Sequence, residues 1–125
     1  GAGTGAPTRE LCALQPILVE KDERWACMLQ ERFPALEVRQ ECATRTLTEI
    51  SEPVGVVTSI PLLNNPQSAE LKALLARRYA EGLVRSCVLY TYGWRDPLSG
   101  HGFAQAVRTH FVPRSLPPAH VWVYQ

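Results

Sequence analysis

Residues 84–112 read VRSCVLYTYGWRDPLSGHGFAQAVRTHFV, and their pattern decides the fold class. Two runs rich in β-branched and aromatic residues, 84–94 and 102–112, flank a seven-residue connection that carries Asp96-Pro97 and Ser99-Gly100. Apolar runs separated by turn-forming residues predict a long β-hairpin. Because side chains alternate along a strand, Val84, Ser86, Val88, Tyr90 and Tyr92 share one face of the first arm. Arg85, Cys87, Leu89 and Thr91 share the other. In the second arm Phe103, Gln105, Val107, Thr109 and Phe111 oppose Ala104, Ala106, Arg108 and His110. Both faces mix apolar and polar groups, which predicts one core face and one partly open face.

Outward from this stretch the signals alternate in kind. Upstream, Asn65-Pro66 is an N-cap residue followed by proline at the first helical position. A helix over 65–80 is therefore expected, with Leu71, Leu74, Leu75 and Tyr79 on one face. Glu70 near its start and Arg77 and Arg78 in its last turn complement the helix dipole, and Gly82 ends it. Asp22 caps a second helix that carries Trp25, Met28, Leu29 and Phe33 at helical spacing and ends at Pro34. Between the helices, 35–50 alternates and is rich in β-branched residues, so strand is expected. The apolar side changes after Cys42, as a bulge or a turn near Glu41 would produce. Residues 54–60 read as a further short strand. HVWVYQ, after Pro113, Pro117 and Pro118, reads as a terminal one. The expectation is an α+β fold: an antiparallel sheet with a long β-hairpin packed against two main helices. Residues 1–8 are expected to be a flexible leader and 9–125 a single globular domain.

The chain has 125 residues, 46% hydrophobic and 20% charged, with a formal net charge of +1. These values are those of an ordinary globular protein with a core of its own. No basic block offers the concentrated positive face that phosphate contacts need, which argues against nucleic acid. No apolar run approaches the roughly 20 residues that cross a bilayer. Cys12, Cys27, Cys42 and Cys87 form no C-x-x-C pair, and the histidines are not at metal-ligand spacing, so neither a metal nor a cofactor is expected. An even, widely spaced set fits two disulfides in a secreted or periplasmic protein; of the three possible pairings, Cys42–Cys87 with Cys12–Cys27 is favoured because Cys42 and Cys87 both fall in expected strands. The alternative is four thiols acting as small hydrophobes in a cytoplasmic one.

No glycine-rich phosphate loop, Ser–His pair or spaced carboxylate pair supports catalysis. A nucleophilic Cys87 would need a helix N-terminus or a cation to lower its pKa, and a strand interior supplies no helix N-terminus. Arg85 and Arg108 fall in the two arms of the hairpin. Were they to converge across the sheet, they would form a bidentate carboxylate or phosphate site. Tyr92 and Trp94 are candidate anchors for a protein partner, together with Tyr90, Trp122 and Tyr124, because aromatic side chains dominate interface energetics.

The order C-M-L-Q-E-R-F (27–33), L-E-V-R-Q-E (36–41), L-V-R-S-C-V-L-Y (83–90) and A-V-R-T-H-F-V-P-R-S (106–115) resembles the front part of chorismate lyases. The related effector-binding domains of GntR-type regulators share that fold. The resemblance implies a pocket in which Arg85 holds a carboxylate of an aromatic substrate or product and Met28 lines the wall. It also implies a catalytic glutamate from a later strand, for which no counterpart precedes Gln125, and a shorter connection than the helix over 65–80. Two function classes follow: a binding module for a protein partner or small anionic ligand, and a lyase-like enzyme or aromatic-carboxylate-binding domain.

Overall fold

The computed structural model describes residues 1–63, 65–66, 68–92, 94–103, 108–114 and 117–125. Backbone contacts divide the chain into two compact units, Gly1–Thr46 and Leu47–Gln125.

In the first unit, helix α1 (Ala6–Leu11) and a short 3-10 turn precede strand β1 (Leu18–Val19), helix α2 (Glu23–Arg32), strand β2 (Val38–Arg39) and the start of helix α3 (Ala43–Glu49). Strands β1 and β2 pair in parallel, Leu18 opposite Val38. The core is Leu18, Leu29 and Leu36, with Ala2, Cys12, Phe33 and Val38 packed against it. Asp22 caps α2 as expected, its carboxylate accepting from the N–H groups of Arg24 (3.0 Å) and Trp25 (3.2 Å). The helix buries Ala26 and Leu29 and leaves Trp25 42% exposed; of the expected stripe Leu29 and Phe33 face the core, while Trp25 turns outward and Ala26 is buried beside it.

Residues 1–8, expected to be a flexible leader, are folded. The Ala2 N–H donates to the Val19 carbonyl, Thr8 is buried in α1, and Glu20 accepts from the Gly3 N–H at 2.9 Å. Gly5, just before α1, has φ +74°, and a Cβ there would stand 2.7 Å from the Phe33 ring and 2.9 Å from Leu29. Both the left-handed backbone and the close approach require glycine.

The strand expected over 35–50 is also corrected. Only Val38–Arg39 is strand, and α3 follows. The apparent change of apolar side after Cys42 marks the start of a helix, because Ala43 and Leu47 are four apart. Glu41 holds this start, accepting from the Thr46 hydroxyl at 2.7 Å and pairing with Arg45 at 3.4 Å.

The second unit carries strand β3 (Val54–Thr58), helix α4 (Ser68–Ala80) and strands β4 (Val84–Thr91), β5 (Arg108–Val112) and β6 (Ala119–Tyr124). Helix α4 buries Leu71, Leu74 and Leu75, and it packs on β4. Its end is a double turn about Gly82 (φ +74°): the Leu83 N–H donates to the Arg78 carbonyl and the Gly82 N–H to that of Tyr79. This is the pattern that satisfies the last carbonyls of a helix. Arg78, expected to act on the helix dipole, also donates to the carbonyls of Leu47 and Thr48 at the end of α3.

The sheet order is β3-β4-β6-β5, with β3 parallel to β4 and the other pairs antiparallel. The α+β class therefore stands, with a mixed sheet in place of a purely antiparallel one. The long hairpin of β4 on β5 does not form. Strand β6 lies between them, Leu89 facing Trp122 and Trp122 facing Thr109. The strand that buries both Trp122 (8% exposed) and Tyr124 (1%) takes an interior place beside β4. The antiparallel pair consecutive in the chain is instead β5 with β6. Residues 104–107, expected to extend the second arm, lie outside the described residues, as does Gly93.

Candidate functional site

The end of β4 runs Tyr90-Thr91-Tyr92 and leads into a loop over 94–103. One face of β4 is fully buried at Cys87 and Leu89, and Thr91 continues it at 6% exposed. Thr91 is satisfied there, its hydroxyl oxygen accepting from Trp122 Nε1 at 3.0 Å. Beyond Thr91 the chain emerges, and Tyr92 and Trp94 are 62% and 74% exposed.

Two anchors hold the loop that follows. Leu98 is 1% exposed. The Asp96 carboxylate accepts from the Leu98 N–H at 2.9 Å and from the Tyr124 hydroxyl in a short bond. Burial first, and then the Asp96 carboxylate, push the Tyr124 phenol well above its ordinary pKa, so it stays a donor. Phe103 closes the loop by stacking on Tyr79 (4.6 Å between centroids) and meeting Tyr124 edge-on (5.4 Å). Trp94 itself stacks on Phe111 of β5 (4.9 Å) and contacts His120 of β6 edge-on (4.7 Å). An exposed indole is thus held in place by two neighbouring strands.

Against this edge lies 61–63, the segment that leaves β3 toward α4. Pro61, Leu62, Leu63, Tyr90, Thr91, Tyr92, Trp94 and Arg95 enclose a cleft of about 540 Å³, within the range of ligand-binding clefts. Tyr90 and Tyr92 meet edge to face at 5.4 Å. The cleft therefore has aromatic walls, an aliphatic floor segment and one guanidinium. Arg95 and 61–63 are not marked in the sequence: Arg95 reads as part of a turn, and nothing local singles out the three residues brought in by the crossover. The signal for Arg95 was its place directly after the aromatic run Tyr90, Tyr92, Trp94.

The other expected site residues fall elsewhere. Arg85 is exposed on β4 beside a register shift in its pairing with β3, where Val54 faces Val84 but Gly55 faces Ser86. It does not line the cleft. Arg108 opens β5 opposite Val123, with β6 between its strand and that of Arg85, so the two are not cross-strand neighbours. Met28 is half-buried on α2 in the first unit. Trp122 and Tyr124, considered as partner anchors, are core residues.

All four cysteines are free thiols, and neither expected disulfide forms. Cys87 is completely buried on β4, and burial pushes its thiol up to about 12. Cys12 packs against the core of the first unit, Cys27 is exposed with its sulfur 4.0 Å from the Glu31 carboxylate, and the Cys42 sulfur accepts from the Thr44 hydroxyl. The pairing Cys42–Cys87 assumed two strand cysteines, and Cys42 precedes a helix instead.

Among the described residues no group of three His, Cys, Asp or Glu side chains is placed to hold a metal ion. No described helix is long and apolar enough to cross a membrane. No protein-family model and no curated protein matches the chain.

Proposed function

We propose that the chain is a binding module that recognises a protein partner through the cleft at the end of β4. The observation that carries this reading is the pair Tyr92 and Trp94, 62% and 74% exposed, on the wall of a cleft that also presents Arg95. Tyrosine, tryptophan and arginine are the side chains that supply most binding energy in interfaces. They combine a large apolar surface with a polar tip. Among the described residues that line it there is no histidine, cysteine or carboxylate side chain. A small aromatic carboxylate is the second reading, favoured by Arg95 alone.

Displayed-peptide selection against the wild type, counter-screened with the Tyr92→Ala, Trp94→Ala double variant, tests the proposal. Enriched peptides are expected to lose at least about tenfold in affinity for the folded double variant, the loss of an interface anchor. Peptides that bind both proteins equally would remove the cleft as the site. Saturable binding of benzoate, lost in Arg95→Ala, would establish the second reading in place of the first.

A further inference from the structure

We propose that the open edge of β3 pairs with β3 of a second copy of the chain, antiparallel and about a two-fold axis at Val56. The surface is separate from the cleft, whose lining begins at Pro61, and its role goes beyond the reading of that site.

Strand β3 stands at one end of the order β3-β4-β6-β5, with β4 as its neighbour. The Val54 N–H donates to the Leu83 carbonyl, so residue 54 turns its backbone toward β4. The register shift that follows leaves its extra residue, Arg85, on β4, and the alternation along β3 is unbroken. Val56 and Thr58 therefore also turn toward β4, and Gly55 and Val57 turn their N–H and C=O groups away from the sheet. Among the described residues no hydrogen bond reaches those outward groups. Both residues are exposed, Val57 at 49%. Sheet edges are usually guarded by charge or proline. Strand β5, at the opposite edge, reads RTHFV and includes a cation. Strand β3 reads VGVVT and contains neither guard.

The outward groups fix the occupant's conformation, because N–H and C=O groups repeating every second residue match an extended strand. The two outward residues point to this strand itself as the mate. In an antiparallel pair, residues that exchange both hydrogen bonds lie directly opposite each other. With the axis at Val56, Gly55 lies opposite the partner's Val57, and Val57 opposite the partner's Gly55. Every outward group of the two residues then finds its mate. The side chains fit the same register. Gly55 is not left-handed, so its backbone does not require glycine, and a Cβ there would meet only the Ser86 hydroxyl oxygen, at 3.1 Å. The space above Gly55 is filled by the valine that faces it. A glycine inside a strand often marks such a close approach of another backbone.

The pairing is bounded and closed. Pro53, the outward position before Gly55, has no N–H to offer and ends it. Each copy uses its β3 edge once, which gives a two-fold dimer and no further growth. The formal net charge of +1 leaves little repulsion between copies.

Sedimentation velocity of the full chain from about 5 to about 500 µM measures the association, with an expected Kd on the order of 10–100 µM because the contact is a single short strand pair. Amide hydrogen exchange at the two ends of that range reads the surface. The Gly55 and Val57 amides should slow by at least about threefold in the concentrated sample, as mass action requires. Those of Val56 and Thr58, already bonded to β4, should change no more than the rest of the sheet. Val57→Lys places a charge at an exposed edge position; it should keep the wild-type circular dichroism and weaken association at least about tenfold. The exchange result is read on the wild type and stands even where the lysine variant fails to fold. A monomer throughout the range would overturn the proposal, as would a dimer whose Gly55 and Val57 amides stay unprotected or one that the folded Val57→Lys variant still forms. Peptide binding at the cleft is independent of each of these results.

Discussion

Replacing Tyr124 by phenylalanine removes one hydroxyl from a side chain that is 1% exposed and keeps the ring that meets Phe103. What is lost is the bond donated to Asp96, the link between β6 and the loop that carries Trp94 and Arg95. A hydrogen bond to a charged acceptor contributes about 1.5–3 kcal/mol. Asp96 keeps the Leu98 N–H and is only half-buried, so water can replace the lost donor and the lower end applies, about 1.5 kcal/mol. At roughly 4 °C per kcal/mol for a chain of this size, the Tm should fall by about 6 °C. Urea unfolding followed by tryptophan fluorescence measures the free energy, and hydrogen exchange locates the change. Amides over 96–101 should exchange faster, while those of α4 follow only the global loss. An unfolding free energy and loop exchange equal to the wild type would refute the reasoning, since the bond would then contribute nothing to holding the cleft wall.

Gly82→Ala should destabilise by about 1–2 kcal/mol, because its φ of +74° is left-handed and nothing lies within 4 Å of the added Cβ; Gly5→Ala should lose more, as its Cβ also meets Phe33 and Leu29. Denaturant titration of the two variants reads the order directly. Leu75→Ala, at a fully buried position on α4, should lose about 2–5 kcal/mol through lost transfer energy and the cavity left behind. Cys87 makes stability depend on pH in the alkaline range. Its folded pKa of about 12 lies above the ordinary 9.0, so the unfolded chain releases the proton first. The contribution is complete below 9.0 and is lost as pH rises toward 12, at most about 1.4 kcal/mol per pH unit. Unfolding free energies measured across that range should fall more steeply for the wild type than for Cys87→Ala. With native protein, alkylation should label Cys27 quickly and leave Cys87 untouched.

Both main helices were legible because their signals are local. Asp22 caps α2 through its own side chain, and Gly82 ends α4 through its own backbone angle, so neither depends on distant parts of the chain. The error at 43–49 came from threonines: Thr44, Thr46 and Thr48 read as strand formers, yet the helix is held by Glu41 and by the four-residue spacing of Ala43 and Leu47. The missing hairpin has a different cause. Neighbours in sequence usually pair, about two-thirds of the time, and local turn residues over 95–101 support that choice. What decides against it is the burial of Trp122 and Tyr124, a property of the whole sheet that no window of sequence contains.

The site divides in the same way. Tyr92 and Trp94 stand out in sequence as aromatics at the end of a strand where the chain turns. Their exposure follows from the way β4 runs out past Thr91. Pro61, Leu62 and Leu63 could not be assigned to the same place, because the crossover through α4 brings them there. The disulfide expectation rested on an even cysteine count, and the thiols instead occupy unrelated environments: a sheet core, a helix surface, a core margin and a helix start.

The most direct test of the cleft as the binding surface is amide chemical-shift mapping of the whole chain during titration with a peptide recovered by selection on the wild type. The account predicts shifts concentrated at Leu62, Leu63, Thr91, Tyr92, Trp94 and Arg95, with α2 and the exposed Val57 of β3 unmoved. Shifts confined to those other surfaces, with the cleft residues silent, would contradict it.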